Sequence, residues 1–387
     1  MEVYEPQEDS FLLEKQVKKY ALGRVLDLGT GLGIQALAAA GNKSVREVIA
    51  VDINSDAVNR FQEEIGQKKL KKIKVIVSDL FSNVKGKFDI IIFNPPYLPQ
   101  DKGIEDAALY GGKKGWEISA RFFRQTANFL ALKGKILFLF SSLTFKTKID
   151  EMIHQHLLEA QELVKERLPF FEELYVYLIQ KSELLLELER KGVSDVHFLA
   201  AGHRGAVYSG IFTSPLPVKV AIKVEHSNSK APNRIENEAK WLKILNKKGI
   251  GPQLYFFRKN YAVMELISGK RIMDWIKKHS KEEIIPVLEK ILTQGLTMDQ
   301  LRVSKQEMHH PHKHIIVNSK NEPIMIDFER CKETLAPTNV TQLVEWLCRS
   351  KEELEQKGIK VEVERLRTAA ADYKKTKNLN PILALLH

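Results

Sequence analysis

Four apolar runs in the first hundred residues each end in a polar side chain, and this recurrence constrains the fold more than any other feature. RVLDLGTG (24–31), EVIAVDIN (47–54), KVIVSDLF (74–81) and KFDIIIFNPPY (87–97) are aliphatic stretches of strand length, and helical composition such as QALAAAG (35–41) lies between them. Strands alternating with helices predict a parallel α/β sheet, and such sheets take ligands outside the carboxyl ends of their strands. Asp27, Asp52, Asp79 and Asn94 are therefore expected at one common edge.

The chemistry expected there follows from residue type. Gly29, Gly31 and Gly33 form a nucleotide-type turn, spaced GxGxG rather than the GxGxxG of dinucleotide sites. Asp27, two residues before the first glycine, suits a cationic amine; Asp52 suits two ribose hydroxyls; Asp79 suits an adenine amino group. After Phe93 the consecutive prolines stop any ladder and leave a backbone rich in acceptors. The Asn94 side-chain oxygen and the Pro95 carbonyl can then hold both hydrogens of a planar NH2 group, with Tyr97 packed on its flat face. No histidine base stands near this turn, so positioning and hydrogen bonding must carry the reaction.

With YEPQEDSFLL (4–13) and ALYGGKKGWEISARFF (108–123), these motifs make residues 1–181 resemble class I S-adenosylmethionine-dependent methyltransferases of the HemK-like group. That group methylates the glutamine side-chain amide of class I translation release factors. The resemblance implies a Rossmann-like α/β domain with S-adenosylmethionine at Asp27, Gly29, Gly31, Asp52, Asp79 and Leu80, a hydroxyl from Ser10, and catalysis at Asn94, Pro95 and Tyr97. It also implies a release factor as partner and, in the archaeal and eukaryotic branch, a small zinc-bearing activator subunit. Adenine presents a planar NH2 group too, so the alternative is a nucleic-acid amino methyltransferase acting at adenine N6 or another exocyclic amine.

The chain has 387 residues, which implies a second domain. KGKILFLFSSLT (133–144) reads as a fifth strand, residues 147–167 as helical, and SELLLELERKGVSD (182–195) as a connecting helix ended by Gly192. From residue 196 the pattern changes. AAGHRGAVYSG (200–210) reads as a glycine-rich hairpin over phosphates through Gly202 and Gly205, and VKVAIKVEH (218–226) as a strand carrying Lys223. IENEAKWLKILNKKG (235–249) offers Glu238 to that lysine, YAVMELISG (261–269) a hinge near Glu265 and Leu266, and IIVNSKNEPIMIDFER (315–330) an acid at Asp327 after a hairpin.

Residues 196–387 accordingly resemble the compact atypical protein kinases of the RIO-like and KEOPS types, an α+β bilobal protein-kinase-like domain with a helical tail. The resemblance implies ATP at Gly202, Gly205, Lys223, Glu238 and Glu265, and magnesium at Asp327. The loop KQEMHHPHKHIIV (305–317) departs from the kinase pattern: the catalytic aspartate is missing, Glu307 is the nearest carboxylate to act as base, and His314 stands in the place of a metal-binding asparagine. The second domain is then either a divergent kinase or a binding module without phosphate transfer.

Cys331 and Cys348 are the two cysteines, too few for a disulfide framework or a cysteine-rich zinc site, and both are expected to be buried thiols. A net charge of +11, with runs such as KKLKKIK (68–74), permits contact with RNA or the ribosome. The sequence shows no apolar leader and no run long enough for a membrane span, so a cytoplasmic protein is expected.

Overall fold

The computed structural model describes residues 4–99, 110–202, 205–213, 215–225, 233–308 and 310–387, and the chain forms two compact units, residues 1–197 and 198–387. The first runs α1 (Glu8–Tyr20), β1 (Gly23–Leu28), α2 (Ile34–Ala40), β2 (Val45–Asp52), α3 (Ser55–Gln67), β3 (Ile73–Val77), β4 (Phe88–Phe93), α4 (Glu117–Phe129), β5 (Leu130–Ser141), α5 (Lys146–Gln155), β6 (Leu158–Arg167), β7 (Glu173–Lys181) and α6 (Glu183–Arg190). Its strands form one seven-stranded sheet in the order β3-β2-β1-β4-β5-β7-β6. The first five lie parallel, and β7 runs antiparallel to both β5 and β6.

The central strands are buried on both faces, which explains their unbroken apolar runs: in β4 Ile90, Ile91, Ile92 and Phe93 are all at most 2% exposed. Against them pack aromatic rings, Phe93 to Phe122 at 4.8 Å between centroids and Phe122 to Phe138 at 5.7 Å. Each such ring, fully buried, stabilises the unit by roughly 1.5–3 kcal/mol. Helix α3 starts where the Asn54 side chain accepts from Asp56 N–H, and it buries Ala57, Val58 and Phe61. Gly33 has φ +83°, and a Cβ there would lie 2.1 Å from the Phe61 ring, so this glycine lets the turn after β1 close onto α3.

One sequence expectation is corrected here. Residues 147–167 are helical only to Gln155; Leu158–Arg167 is a strand. LEAQELVKER has helix-forming composition, but it pairs along β7 as an exposed, charged edge strand, and tertiary pairing overrides propensity. At the other end of β7 the Lys181 ammonium, buried among the strands, donates to the Leu130 carbonyl at 3.0 Å and to Glu189 of α6 at 2.6 and 2.8 Å.

The chain passes from the first unit to the second within β8 (Val193–Gly202), which with β9 (Gly205–Thr213), β10 (Pro217–Glu225), β11 (Leu254–Phe257) and β12 (Tyr261–Glu265) forms a sheet ordered β11-β12-β10-β9-β8, with α7 (Arg234–Leu245) following β10. Then come β13 (Lys270–Arg271), α8 (Ile272–Ile276), α9 (Lys281–Gln300), β14 (Val303–Ser304), the antiparallel hairpin β15 (Ile315–Val317) and β16 (Pro323–Met325), β17 (Lys332–Glu333), α10 (Asn339–Arg349), α11 (Lys351–Glu355), α12 (Val363–Thr376) and α13 (Asn380–Leu383). A buried network ties three helices together: Asp299 of α9 accepts from the Asn339 side chain of α10 at 2.7 Å and from the Tyr373 hydroxyl of α12 at 2.8 Å. The terminal Leu379, Ile382 and Leu386 are buried in the same core. Cys331 and Cys348 are both buried thiols. Among the described residues no helix is long and apolar enough to cross a membrane.

Candidate functional site

The carboxyl ends of β1, β2 and β4, with the residues just after β3, open onto one cavity of about 380 Å³ in the first unit. Gly29, Gly31, Asp52, Asp79, Leu80, Asn94, Pro95, Tyr97 and Ser10 line it. Asp52 is aimed by the backbone, one oxygen accepting from Gly31 N–H at 2.9 Å and the other from Asn54 N–H at 2.9 Å. Asp79 meets the Arg121 guanidinium of α4 at 2.6 Å. Leu80 has φ +48°, and its carbonyl accepts from the Ser78 hydroxyl.

Asp27 is the exception. It does not line the cavity; one carboxylate oxygen accepts from the Thr30 hydroxyl at 2.7 Å and from Ala36 N–H at 3.0 Å, which fixes the glycine turn to α2. One oxygen of Asp27 is thereby committed to the turn itself, a role that its spacing from the glycines does not announce. Burial, the largest cause, pushes the Asp27 carboxyl up to about 7, against the two hydrogen bonds, with the Asp52 charge adding to the rise.

A pH test follows. Because the folded chain keeps this proton after the unfolded chain has released it, wild-type stability falls as pH rises from about 4 to about 7, and the loss is complete above that. Asp27→Asn retains acceptor capacity without the charge. It is expected to melt a few degrees above wild type at pH 8 and level with it near pH 4. Thermal scans at both pH values check this; a difference independent of pH would show an ordinary carboxyl.

At the NPPY turn, Asp9 of α1, only 4% exposed, accepts from the Asn94 amide nitrogen at 2.8 Å and from the Tyr4 hydroxyl at 2.9 Å. That fixes the Asn94 amide with its nitrogen toward Asp9, and the buried Asn94 Oδ1 has no hydrogen-bond partner. Leaving such an acceptor unmade costs roughly 1–3 kcal/mol, which a ligand N–H would recover. Gln35 Oε1, also buried and without a partner, belongs to the same cavity wall, while the Gln35 amide nitrogen donates to the Ser10 carbonyl at 2.8 Å. These orphaned acceptors fit a cofactor and a substrate that bring N–H and O–H donors. Burial, with the Asp9 charge second, raises the Tyr97 hydroxyl well above the tyrosine range and keeps it neutral.

The turn is held from outside by the glycines of the YGGKKG stretch. Gly111 N–H donates to the Leu98 carbonyl at 3.0 Å, and a Cβ on Gly111 would lie 2.4 Å from the Pro96 carbonyl oxygen. Asp9, Gln35, Arg121 and Glu172 all line the cavity and were not singled out from the sequence. Asp9 and Gln35 lie within segments quoted from the sequence, yet only their partners far along the chain mark them.

In the second unit the structure brings Lys223, Glu238 and Asp327 together. The Lys223 ammonium lies 2.8 Å from Glu238 and 3.6 Å from Asp327, and Glu238, 1% exposed, also accepts from Phe328 N–H at 3.1 Å. Burial opposes the Lys223 charge, but Glu238 and Asp327 more than offset it, so its pKa lies above the usual lysine range. Burial likewise opposes the Asp327 charge, and Lys223, Lys305 and His314 hold that carboxyl below its ordinary value.

One expectation is corrected here. Glu307 is not a free base: its carboxylate is paired with Arg330 and lies 3.4 Å from His314 Nε2. At the end of β12, Glu265 N–H donates to the Gln253 carbonyl at 2.8 Å and Leu266 N–H to the Lys219 carbonyl at 3.2 Å. Gly205 approaches the Val224 carbonyl so closely that a Cβ would lie 2.2 Å from it, and Gly202 ends β8. His309, part of the histidine-rich loop, lies outside the described residues, among which no cluster of three metal-ligating side chains occurs.

Residues 7–167 match the family model of the methyltransferase small domain. A Methanocaldococcus jannaschii protein assigned to the protein N5-glutamine methyltransferases is 43% identical over 150 residues, covering 37% of this chain and 74% of that one. The release factor glutamine methyltransferase of Streptococcus pneumoniae is 31% identical over 149 residues, and the match spans 35% of this chain and about half, 52%, of that enzyme. Among solved structures, one of the E. cuniculi Mtq2–Trm112 complex, responsible for the methylation of the eRF1 translation termination factor, aligns with TM-score 0.39 and 23% identity over 47% of this chain and 100% of that chain. Through its first unit, the chain belongs to the HemK-like family of S-adenosylmethionine-dependent methyltransferases with the class I α/β fold.

Proposed function

We propose that the first unit methylates the side-chain amide of a glutamine in a class I translation release factor. The observation that carries this reading is the buried, unpartnered Asn94 Oδ1, aimed by Asp9 in a cavity that Pro95 also lines. When bound, S-adenosylmethionine supplies an electrophilic methyl group. Asp52 and Asp79 serve the ribose and adenine, Ser10 adds a hydroxyl, and Gly29, Gly31 and Leu80 shape the wall. Asn94 Oδ1 and the Pro95 carbonyl accept the two amide hydrogens of the substrate, and Tyr97 covers its flat face. An amide nitrogen is a weak nucleophile because its lone pair is delocalised. Acceptors on both hydrogens favour a more pyramidal nitrogen, and holding it in line contributes the rest. The names of the M. jannaschii and S. pneumoniae relatives support the glutamine acceptor.

The test is transfer of labelled methyl from S-adenosylmethionine to purified release factor and, in parallel, to total RNA, each with and without a small zinc-bearing activator subunit. Label on a release-factor glutamine is the expected result. Label on RNA alone would move the acceptor to a nucleobase.

For the second unit we infer nucleotide binding in a kinase-like fold. Lys223, set by Glu238, is placed to meet phosphate oxygens. Asp327 fits as the single carboxylate of a magnesium ion otherwise held by phosphates and water, whereas the nearby His314 nitrogen suits that ion poorly. With Glu307 engaged by Arg330, ATP binding rather than phosphate transfer is the activity assigned to this unit.

A further inference from the structure

The second unit holds another buried cation. Lys305, the first residue of the loop that departs from the kinase pattern, is 2% exposed. Its ammonium donates to the Asp327 carbonyl oxygen and stands 5.1 Å from the centroid of the Phe328 ring. An ammonium carries three donors, and among the described residues this carbonyl is the one acceptor it meets. Lys305 backbone N–H is fixed separately, by the Asn339 side chain of α10 at 2.9 Å, so the residue is held from the helical core and its head is delivered to Asp327.

Two ammonium groups thus converge on Asp327. Lys223 approaches its carboxylate at 3.6 Å and Lys305 takes its carbonyl. Keeping a second positive charge away from water is costly unless a counter-charge meets it. Burial, the first cause, pulls Lys305 below the usual lysine range against the opposing charges of Asp327 and Glu238, and Lys223 adds to the fall. Glu238 is already shared between Lys223 and the Phe328 N–H, so it is not spare. A ligand with several negative oxygens would repay the burial of Lys305 and meet the partly exposed Lys223 beside it, and a polyphosphate chain has that charge and reach.

We propose that Lys305 is a phosphate-binding residue of the second unit, its ammonium taking an oxygen of a nucleoside polyphosphate beside Lys223. The proposal rests on the nucleotide-binding reading of this unit. It supplies a cation from the loop that lacks the usual catalytic aspartate.

The test is calorimetric titration of the full chain with magnesium and ATP, and separately with adenosine, for wild type, Lys305→Met and Lys305→Arg. Wild type is expected to bind ATP more tightly than adenosine. Lys305→Met should weaken ATP at least about tenfold while adenosine affinity holds, and Lys305→Arg should recover most of the ATP affinity because it keeps the charge. Equal ATP affinity in wild type and Lys305→Met would overturn the assignment. So would a parallel loss of adenosine, which marks a structural role. If Lys305→Met does not fold, the comparison of wild type with Lys305→Arg and the wild-type preference for ATP over adenosine decide. A wild type that binds adenosine and ATP equally removes the phosphate role alone, and one that binds neither removes the nucleotide reading and Lys305 with it.

Discussion

Replacing Asn94 by alanine is expected to lower methyl transfer by about 10²–10³-fold while S-adenosylmethionine affinity changes little. The asymmetry follows from the geometry. Asn94 Oδ1 is a buried acceptor without a partner in the protein, and in the proposed reaction its stabilisation is realised on the substrate amide and not on the cofactor. The cofactor side keeps Asp52, aimed by Gly31 and Asn54, and the glycine turn tied by Asp27. Turnover at saturating substrate and equilibrium binding of the cofactor, measured on the same preparation, separate the two. A parallel loss of both would place Asn94 with the cofactor.

Asp9→Ala is expected to lower turnover by about 10–10²-fold, although Asp9 touches no reacting atom. Its carboxylate holds the Asn94 nitrogen at 2.8 Å and the Tyr4 hydroxyl at 2.9 Å; without it both lose their partner, and the Asn94 amide is free to turn its oxygen away from the cavity. Two further readouts distinguish positioning from general damage. Asp9→Asn, whose amide oxygen still accepts, should recover part of the rate. The double variant with Asn94→Ala should be no slower than Asn94→Ala alone, because the two act as one unit. Additive losses would mean that Asp9 acts elsewhere.

The sheet edge was legible because each of its ligand-facing positions follows an apolar run within two residues: Asp52, Asp79 and Asn94 line the cavity as their strand ends imply. What escaped are pairings over long separations. Asp9 reaches Asn94 across 85 positions and Arg121 reaches Asp79 across 42, and no local pattern encodes either. The internal role of Asp27 is hidden for a related reason: the spacing from the glycines marks the turn, but the direction of its carboxylate depends on Thr30 and on the first turn of α2. The strand at Leu158–Arg167 reads as helix because its charges alternate with apolar residues irregularly, and only β7 beside it supplies the missing preference. In the second unit the Lys223–Glu238 pair was readable from strand and helix order, whereas the capture of Glu307 by Arg330 depends on how the loop folds back after Asp327.

The last strand of the first unit has a consequence for synthesis. β7 ends at Lys181 yet lies inside the sheet, between β5 and β6, so until that strand has emerged from the ribosome β5 is paired on its β4 side alone and β6 has no neighbour. β6, charged and ten residues long, waits unpaired in the nascent chain, and its composition keeps it soluble while it waits. The sheet is therefore completed only by its last strand in chain order, and Lys181 at the end of that strand meets Glu189 of the α6 that follows it.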